Sequence, residues 1–187
     1  MYKILMTYDS LEGLEKLIEN KEFKVEIHAK PSPEEFKKLI KEYDGLLIRS
    51  EVKVTEEIIA AADKLKFIGR AGTGVDNVDK NAATQKGIIV TNVPGGNTIS
   101  AAEHTIGLML SMARNIPEAY KSLKSKKWDR KNFMGTELQG KCLGLIGLGR
   151  IGTEVAKRAI AFGMKVIAYD PFANYDIAKN YDIDLIP

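Results

Sequence analysis

Hydrophobic positions along the chain alternate between two periods, and the alternation predicts the elements. Lys3–Thr7 is a short apolar run, read as a strand. Leu11, Leu14, Leu17 and Ile18 fall on one face of a helix over 11–18. Phe23–Ile27 alternates with period two and reads as a second strand. Pro33 then opens a helix with Phe36, Leu39 and Ile40 inward; Ser32 is its N-cap, and Glu35 follows three residues later. Gly45–Ile48 is a buried strand, Thr55 caps a helix over Glu56–Ala62, and Phe67–Arg70 is a strand running into a glycine-rich loop. A helix over Asn77–Gln85, closed by Gly87, and a strand at Ile88–Val90 complete the series. Strict strand–helix alternation, with strands rich in Ile and Leu, predicts a doubly wound parallel lobe over residues 1–97.

The pattern changes at the breaker cluster Pro94, Gly95, Gly96 and Asn97. A long helix follows over Ser100–Arg114, with Ile106, Leu108, Met109 and Met112 apolar, and then a basic, irregular connection through Trp128 to Gly135. A second strand–helix–strand unit begins at Lys141, so residues 98–187 are expected to form a second lobe. The opening MYKILMTYDS reads as a strand rather than a leader, no run of 18 apolar residues exists, and the expected compartment is the cytoplasm.

The second lobe carries Gly147, Gly149 and Gly152 in the spacing G-x-G-x-x-G. Glycines alone are weak evidence; their setting strengthens them. A strand precedes (Leu143–Ile146), a helix follows (Ile151–Phe162), and the next strand, Lys165–Tyr169, ends at Asp170. Gly147 permits the turn, Gly149 lets backbone amides approach a pyrophosphate, and Gly152 allows close helix packing. Arg150 adds positive charge at a helix N-terminus already suited to an anion. Asp170 can accept both hydroxyls of a ribose, and its charge opposes a 2′-phosphate. With Pro171 and Phe172 next and no arginine there, NAD is favoured over NADP.

In the first lobe, Arg70-Ala-Gly-Thr-Gly-Val-Asp-Asn-Val-Asp79 follows a strand. Gly72 and Gly74 allow successive amides to face one anion, Arg70 precedes them, and Arg49 ends the neighbouring strand. Strand C-terminal ends face the binding crevice of an open α/β sheet, so a small anionic ligand is expected there.

Composition narrows the classes. With 28 basic and 25 acidic residues the net charge is only +3, too even for a nucleic-acid binder. The single cysteine, Cys142, excludes a disulfide framework and a multi-thiolate metal site, and it is expected to be a small buried hydrophobe.

Four segments together resemble the D-isomer-specific 2-hydroxyacid dehydrogenases: Leu47–Ser50, Gly69–Asp79, Asn92–Glu103, and the fingerprint with Tyr169-Asp-Pro171. Lys127–Leu138 is similar to the branch that oxidises D-3-phosphoglycerate in serine synthesis. The resemblance implies a flavodoxin-like doubly wound parallel lobe followed by an incomplete Rossmann dinucleotide-binding lobe. It implies that Ala71, Gly72, Thr73 and Gly74 hold the substrate carboxylate, with Thr73 also near the cofactor, and that Asn97 is a substrate-side residue at the hinge. Arg49, Arg70 and Arg130 match positions facing a substrate phosphate, Arg130 from a neighbouring subunit. Gly147, Gly149, Arg150, Ile151, Gly152, Asp170 and Pro171 match NAD contacts, and the helix after Ser100 matches a homodimer region.

The family's catalytic arginine, glutamate and histidine all follow the fingerprint. Here the last arginine is Arg158 and the last histidine His104, so no catalytic residue is expected in this chain. His28 and His104 are read as structural, and the chain as a part of the enzyme that is inactive alone. Two other readings remain. One is a non-catalytic NAD-sensing protein like the corepressors of the superfamily. The other is a glyoxylate or formate dehydrogenase, in which three arginines would lack a task.

Overall fold

The computed structural model describes residues 1–10, 19 and 21–187; the helix expected over Leu11–Ile18 lies outside the described residues. The chain divides into two compact units, Met1–Gly96 and Asn97–Pro187.

The first unit is a parallel sheet of five strands: β1 (Tyr2–Met6), β2 (Phe23–Ile27), β3 (Gly45–Ile48), β4 (Phe67–Arg70) and β5 (Ile89–Thr91). Their order is β2-β1-β3-β4-β5, the flavodoxin-like winding. The central strands bury their side chains, with Leu5, Leu46, Ile48 and Ile68 fully enclosed. The edge strands are more open, with Ile27 and Ile89 exposed, because an edge strand has a neighbour on one side only.

Helices α1 (Pro33–Leu39), α2 (Glu56–Ala61) and α3 (Lys80–Gln85) connect the strands. α1 starts as its sequence predicts: the Ser32 hydroxyl accepts the Glu35 N–H at 3.3 Å, and Phe36 is buried. At α2, Thr55 occupies the cap position but its hydroxyl makes no cap bond. Backbone pairing sets that start instead: the Val54 N–H donates to the Asn77 carbonyl at 2.8 Å, and the Asp79 N–H donates to the Val54 carbonyl at 2.9 Å. α3 begins three residues later than the pattern predicts. Asp79 caps it, accepting the Ala82 N–H at 3.0 Å, while Asn77 is held by other partners.

In the second unit, α4 (Thr98–Ala113) and α5 (Ile116–Lys124) precede a three-stranded parallel sheet. Its strands β6 (Cys142–Ile146), β7 (Lys165–Tyr169) and β8 (Asp184–Leu185) lie in that order. α6 (Arg150–Ala161) joins β6 to β7, and α7 (Tyr175–Asn180), capped by Asn174, joins β7 to β8. Small side chains allow close packing here: Ala156 and Ala159 share a core with Val166 and Ala168. Ala102 and Ile106 of α4 pack with Val155.

Leu108 and Met112 are exposed, because the face of α4 that carries Ala102 and Ile106 is the packed one. Two expectations change in this unit. The connection expected to be irregular contains α5, whose apolar residues Ile116, Ala119, Tyr120 and Leu123 recur at helical spacing although none is fully buried. Cys142 is exposed rather than buried. It shares one face of the edge strand β6 with Gly144 and Ile146, all exposed, whereas Leu143 and Leu145 pack inward.

A polar tie joins β2 to the chain entering β3. The Tyr43 hydroxyl donates to Glu26 Oε2 at 2.6 Å, and Lys24 Nζ lies 2.6 Å from Glu26 Oε1. Hydrogen bonds from Lys24, then Tyr43, hold the Glu26 carboxyl down at about 2. A lowered folded value means that the stabilisation is full above the ordinary glutamate pKa of about 4.3 and is lost as pH falls through the folded value. Glu26→Gln should therefore unfold at lower urea than the parent at pH 7, with the difference shrinking below pH ~4.3 and gone near pH 2, as followed by circular dichroism.

Candidate functional site

Each unit presents a turn at the C-terminal end of its sheet. In the second unit, Gly147 leaves β6 with φ +97°, a backbone region that favours glycine. Its N–H donates to the Tyr169 carbonyl at 2.8 Å, tying the turn to the end of β7. Asp170, the next residue, accepts the Leu148 N–H on Oδ2 and the Phe172 N–H on Oδ1, each at 2.8 Å. Each carboxylate oxygen keeps a further lone pair. Asp170 therefore shapes the glycine turn as well as lining the cleft beside it.

Gly149 caps α6 and Arg150 begins it. An added Cβ at Gly149 would meet no atom within 4 Å, and its φ of −75° is open to any residue. Nothing in the protein's own packing requires glycine there; a ligand resting on the backbone would. Gly152 differs, since a Cβ there would run into the Gly147 carbonyl. Its task is thus to pass the strand exit rather than the sheet. The buried Thr153 hydroxyl reaches the Leu148 carbonyl at 3.4 Å, on the side opposite the Gly149 N–H. Together these residues border an open cleft of about 610 Å³, with Thr98, Ile99, Gly149, Arg150, Asp170 and Phe172 in its wall. Ile151 and Pro171 are exposed nearby in sequence. A helix N-terminus, a bare glycine, an arginine and a carboxylate fit a dinucleotide with diphosphate and ribose groups.

In the first unit, the Arg70 side chain is only 10% exposed, and its Nη1 lies 3.3 Å from Asp76. Its Nε is buried without a hydrogen-bond partner, a donor the fold leaves unmatched. The guanidinium lies against the glycine loop: a Cβ on Gly74 would stand 3.0 Å from Nη1, and one on Gly72 would stand 3.6 Å from Cζ. Ala71 is tied down, its N–H donating to the Ile48 carbonyl at 2.8 Å. Arg49 is exposed and stacks on Tyr8, with Cζ 4.7 Å from the ring centre. Burial raises the Tyr8 pKa, while Arg49 works the other way.

The structure brings Arg49, Arg70, Ala71, Gly72, Thr73 and Gly74 to one end of the first sheet. Arg130 and Asn97 belong to the second unit. Arg130 starts a 3-10 turn ending at Phe133, and the Asn97 carbonyl accepts the Ala101 N–H at 2.9 Å at the start of α4. Four residues around these sites have no role in the sequence reading: Tyr8, and Asp76, Asn77 and Asn92, which lie within the quoted segments Gly69–Asp79 and Asn92–Glu103. Tyr8 lies just past the end of β1, where the strand-end rule applies. The asparagine contacts have no local sequence signature.

The profile described as "D-isomer specific 2-hydroxyacid dehydrogenase, catalytic domain" matches residues 4–180. A D-3-phosphoglycerate dehydrogenase of Archaeoglobus fulgidus is 55% identical over 162 residues, covering 87% of this chain and 31% of the relative. One from Methanocaldococcus jannaschii is 52% identical over 186 residues, covering 100% of this chain and 35% of its own length. The chain thus spans about a third of these curated relatives. Among solved structures, D-lactate dehydrogenase of Aquifex aeolicus, complexed with NAD and lactic acid, aligns with TM-score 0.86 and 25% identity, over 98% of this chain and 55% of that one.

The two glycines should separate on substitution. Gly149→Ala should leave the melting temperature nearly unchanged and weaken ADP-ribose binding by calorimetry. Gly152→Ala should destabilise the second unit by about 1–3 kcal/mol through its clash with backbone.

Proposed function

The chain belongs to the D-isomer-specific 2-hydroxyacid dehydrogenases, and from that premise we propose that it is part of an NAD-dependent D-3-phosphoglycerate dehydrogenase of serine synthesis. The observation that carries the substrate reading is Arg70, nearly buried with an orphan Nε beneath a glycine loop. Asp76 meets Nη1 at 3.3 Å, which leaves the buried Nε as the donor an incoming anion would satisfy. The relatives' shared name supports D-3-phosphoglycerate as that anion.

In this reading the Thr73–Gly74 backbone and Arg70 hold the substrate carboxylate, and Arg49, steadied by Tyr8, attracts the phosphate. Arg130 serves the phosphate of a partner subunit. NAD, when bound, supplies the hydride acceptor for the C2 hydroxyl. This chain's own residues orient it. The amides from Gly149 to Ile151, with Arg150, meet the diphosphate, Gly147 and Gly152 shape the turn that presents them, and Pro171 follows the ribose contact. Asp170 accepts the ribose hydroxyls and repels a 2′-phosphate. Asn97 and Thr73 are assigned to the substrate and nicotinamide side. A homodimer through α4 and α5 suits the exposed Leu108, Met112, Tyr120 and Leu123. The proposed setting is the cytoplasm; among the described residues no helix is long and apolar enough to cross a membrane.

Neither histidine is placed for proton transfer in this scheme: His104 lies within α4, and His28 follows the edge strand β2. The 187-residue chain is expected to bind ligands without turning them over.

Calorimetry of the purified chain tests the reading. NAD should bind more tightly than NADP, and Arg70→Ala should weaken D-3-phosphoglycerate by roughly 10- to 100-fold, the value of one charged hydrogen-bond donor. Equal affinity for NAD and NADP, or indifference of the hydroxyacid to Arg70, would refute it.

A further inference from the structure

Asn92 lies just past β5 and outside every role assigned above. Its side-chain Nδ2 donates to the carbonyl of Thr73, in the middle of the glycine loop. The next residue acts alongside it: the Val93 N–H donates to the Gly72 carbonyl at 2.9 Å. Two consecutive loop carbonyls are therefore drawn to the segment leaving β5.

Peptide geometry gives this a consequence. In a planar trans peptide the carbonyl and the N–H that follows it point in opposite directions. Drawing the Thr73 carbonyl toward Asn92 turns the Gly74 N–H away from β5. Among the described residues that N–H has no acceptor. The Arg70 guanidinium lies at the same glycine, since a Cβ on Gly74 would stand 3.0 Å from its Nη1. A backbone donor without an acceptor and a nearly buried guanidinium thus meet at one residue.

We propose that Asn92 is a positioning residue that holds the Thr73 carbonyl so that the Gly74 N–H is presented to the substrate carboxylate. The proposal rests on the reading of this loop as the carboxylate site. A side-chain amide suits the task, because Val93 shows that β5's own backbone reaches only as far as Gly72. One residue of side chain extends the grip to the next carbonyl. Without it, the Thr73 carbonyl loses the Asn92 donor, and binding must then order the Thr73–Gly74 peptide more fully.

The test uses the whole 187-residue chain, with glycolate as a minimal 2-hydroxycarboxylate, followed by backbone amide NMR. In the parent chain the Gly74 signal should move on titration. In Asn92→Ala it should already be displaced before glycolate is added, the signals of β1 to β4 should stay in place, and affinity should fall about tenfold, the effect of one misplaced donor. Asn92→Leu, close in size and unable to donate, should behave alike. A purely structural asparagine would instead shift signals across the sheet and lower stability.

The outcomes separate. A Gly74 signal unmoved by glycolate in the parent chain overturns the carboxylate reading, and the clamp with it. A parent response reproduced at unchanged affinity by both variants overturns the clamp alone. If Asn92→Ala loses its dispersed spectrum, Asn92→Leu decides; unfolding of both overturns the proposal, since the residue would then hold the fold rather than the loop.

Discussion

The rigidity of the peptide plane governs both candidate sites. A carbonyl fixed on one side of a turn commits the next amide to the other side. In the second unit the Thr153 hydroxyl takes the Leu148 carbonyl, and Asp170 takes the Leu148 N–H. In the first unit Asn92 and Val93 take the carbonyls of Thr73 and Gly72. In each turn a bonded carbonyl commits the N–H that follows it to the opposite side. Buried backbone groups must find partners, so the few amides left without one stand out.

Parallel sheets put such turns at one end. Every strand of both sheets runs the same way as its neighbours, so β1, β3, β4 and β6 all release their loops on the same side of their own sheet. Tyr8, Arg49 and the Arg70 loop gather because three adjacent strands deliver them. The same logic places Asp170 beside Gly147, one strand over. The fold brings these groups together without any long loop having to reach for another.

Much of this was legible in the residues. Gly45–Ile48, Phe67–Arg70 and Lys165–Tyr169 match their strands residue for residue, because buried parallel strands are short apolar runs with sharp polar ends. Ser32 was readable as a cap because its bond is local. Thr55 misled for the same reason: its residue type suits a cap, but the Val54–Asn77 backbone pair, remote in sequence, sets the geometry. α5 did leave a signal, Ile116, Ala119, Tyr120 and Leu123 at i, i+3, i+4 and i+7, inside a segment that is otherwise polar. Cys142 was misplaced because burial of a β-strand residue depends on whether its face of the sheet is covered, and a one-dimensional pattern does not show that. The glycine spacing and Asp170 were visible as a motif, whereas the grips of Asn77 on the Arg49 and Val52 carbonyls, and of Asn92 on Thr73, link residues 19 to 28 apart.

The double engagement of Asp170 limits how this scaffold can diversify. One carboxylate accepts a backbone amide of its own turn and one of the glycine turn while lining the cleft. Exchanging it for a side chain without an acceptor oxygen would also remove the group that fixes the Leu148 N–H. The backbone next to Gly149 would loosen in the same step. A replacement at Asp170 therefore alters the charge of the cleft and the anchoring of the strand exit together.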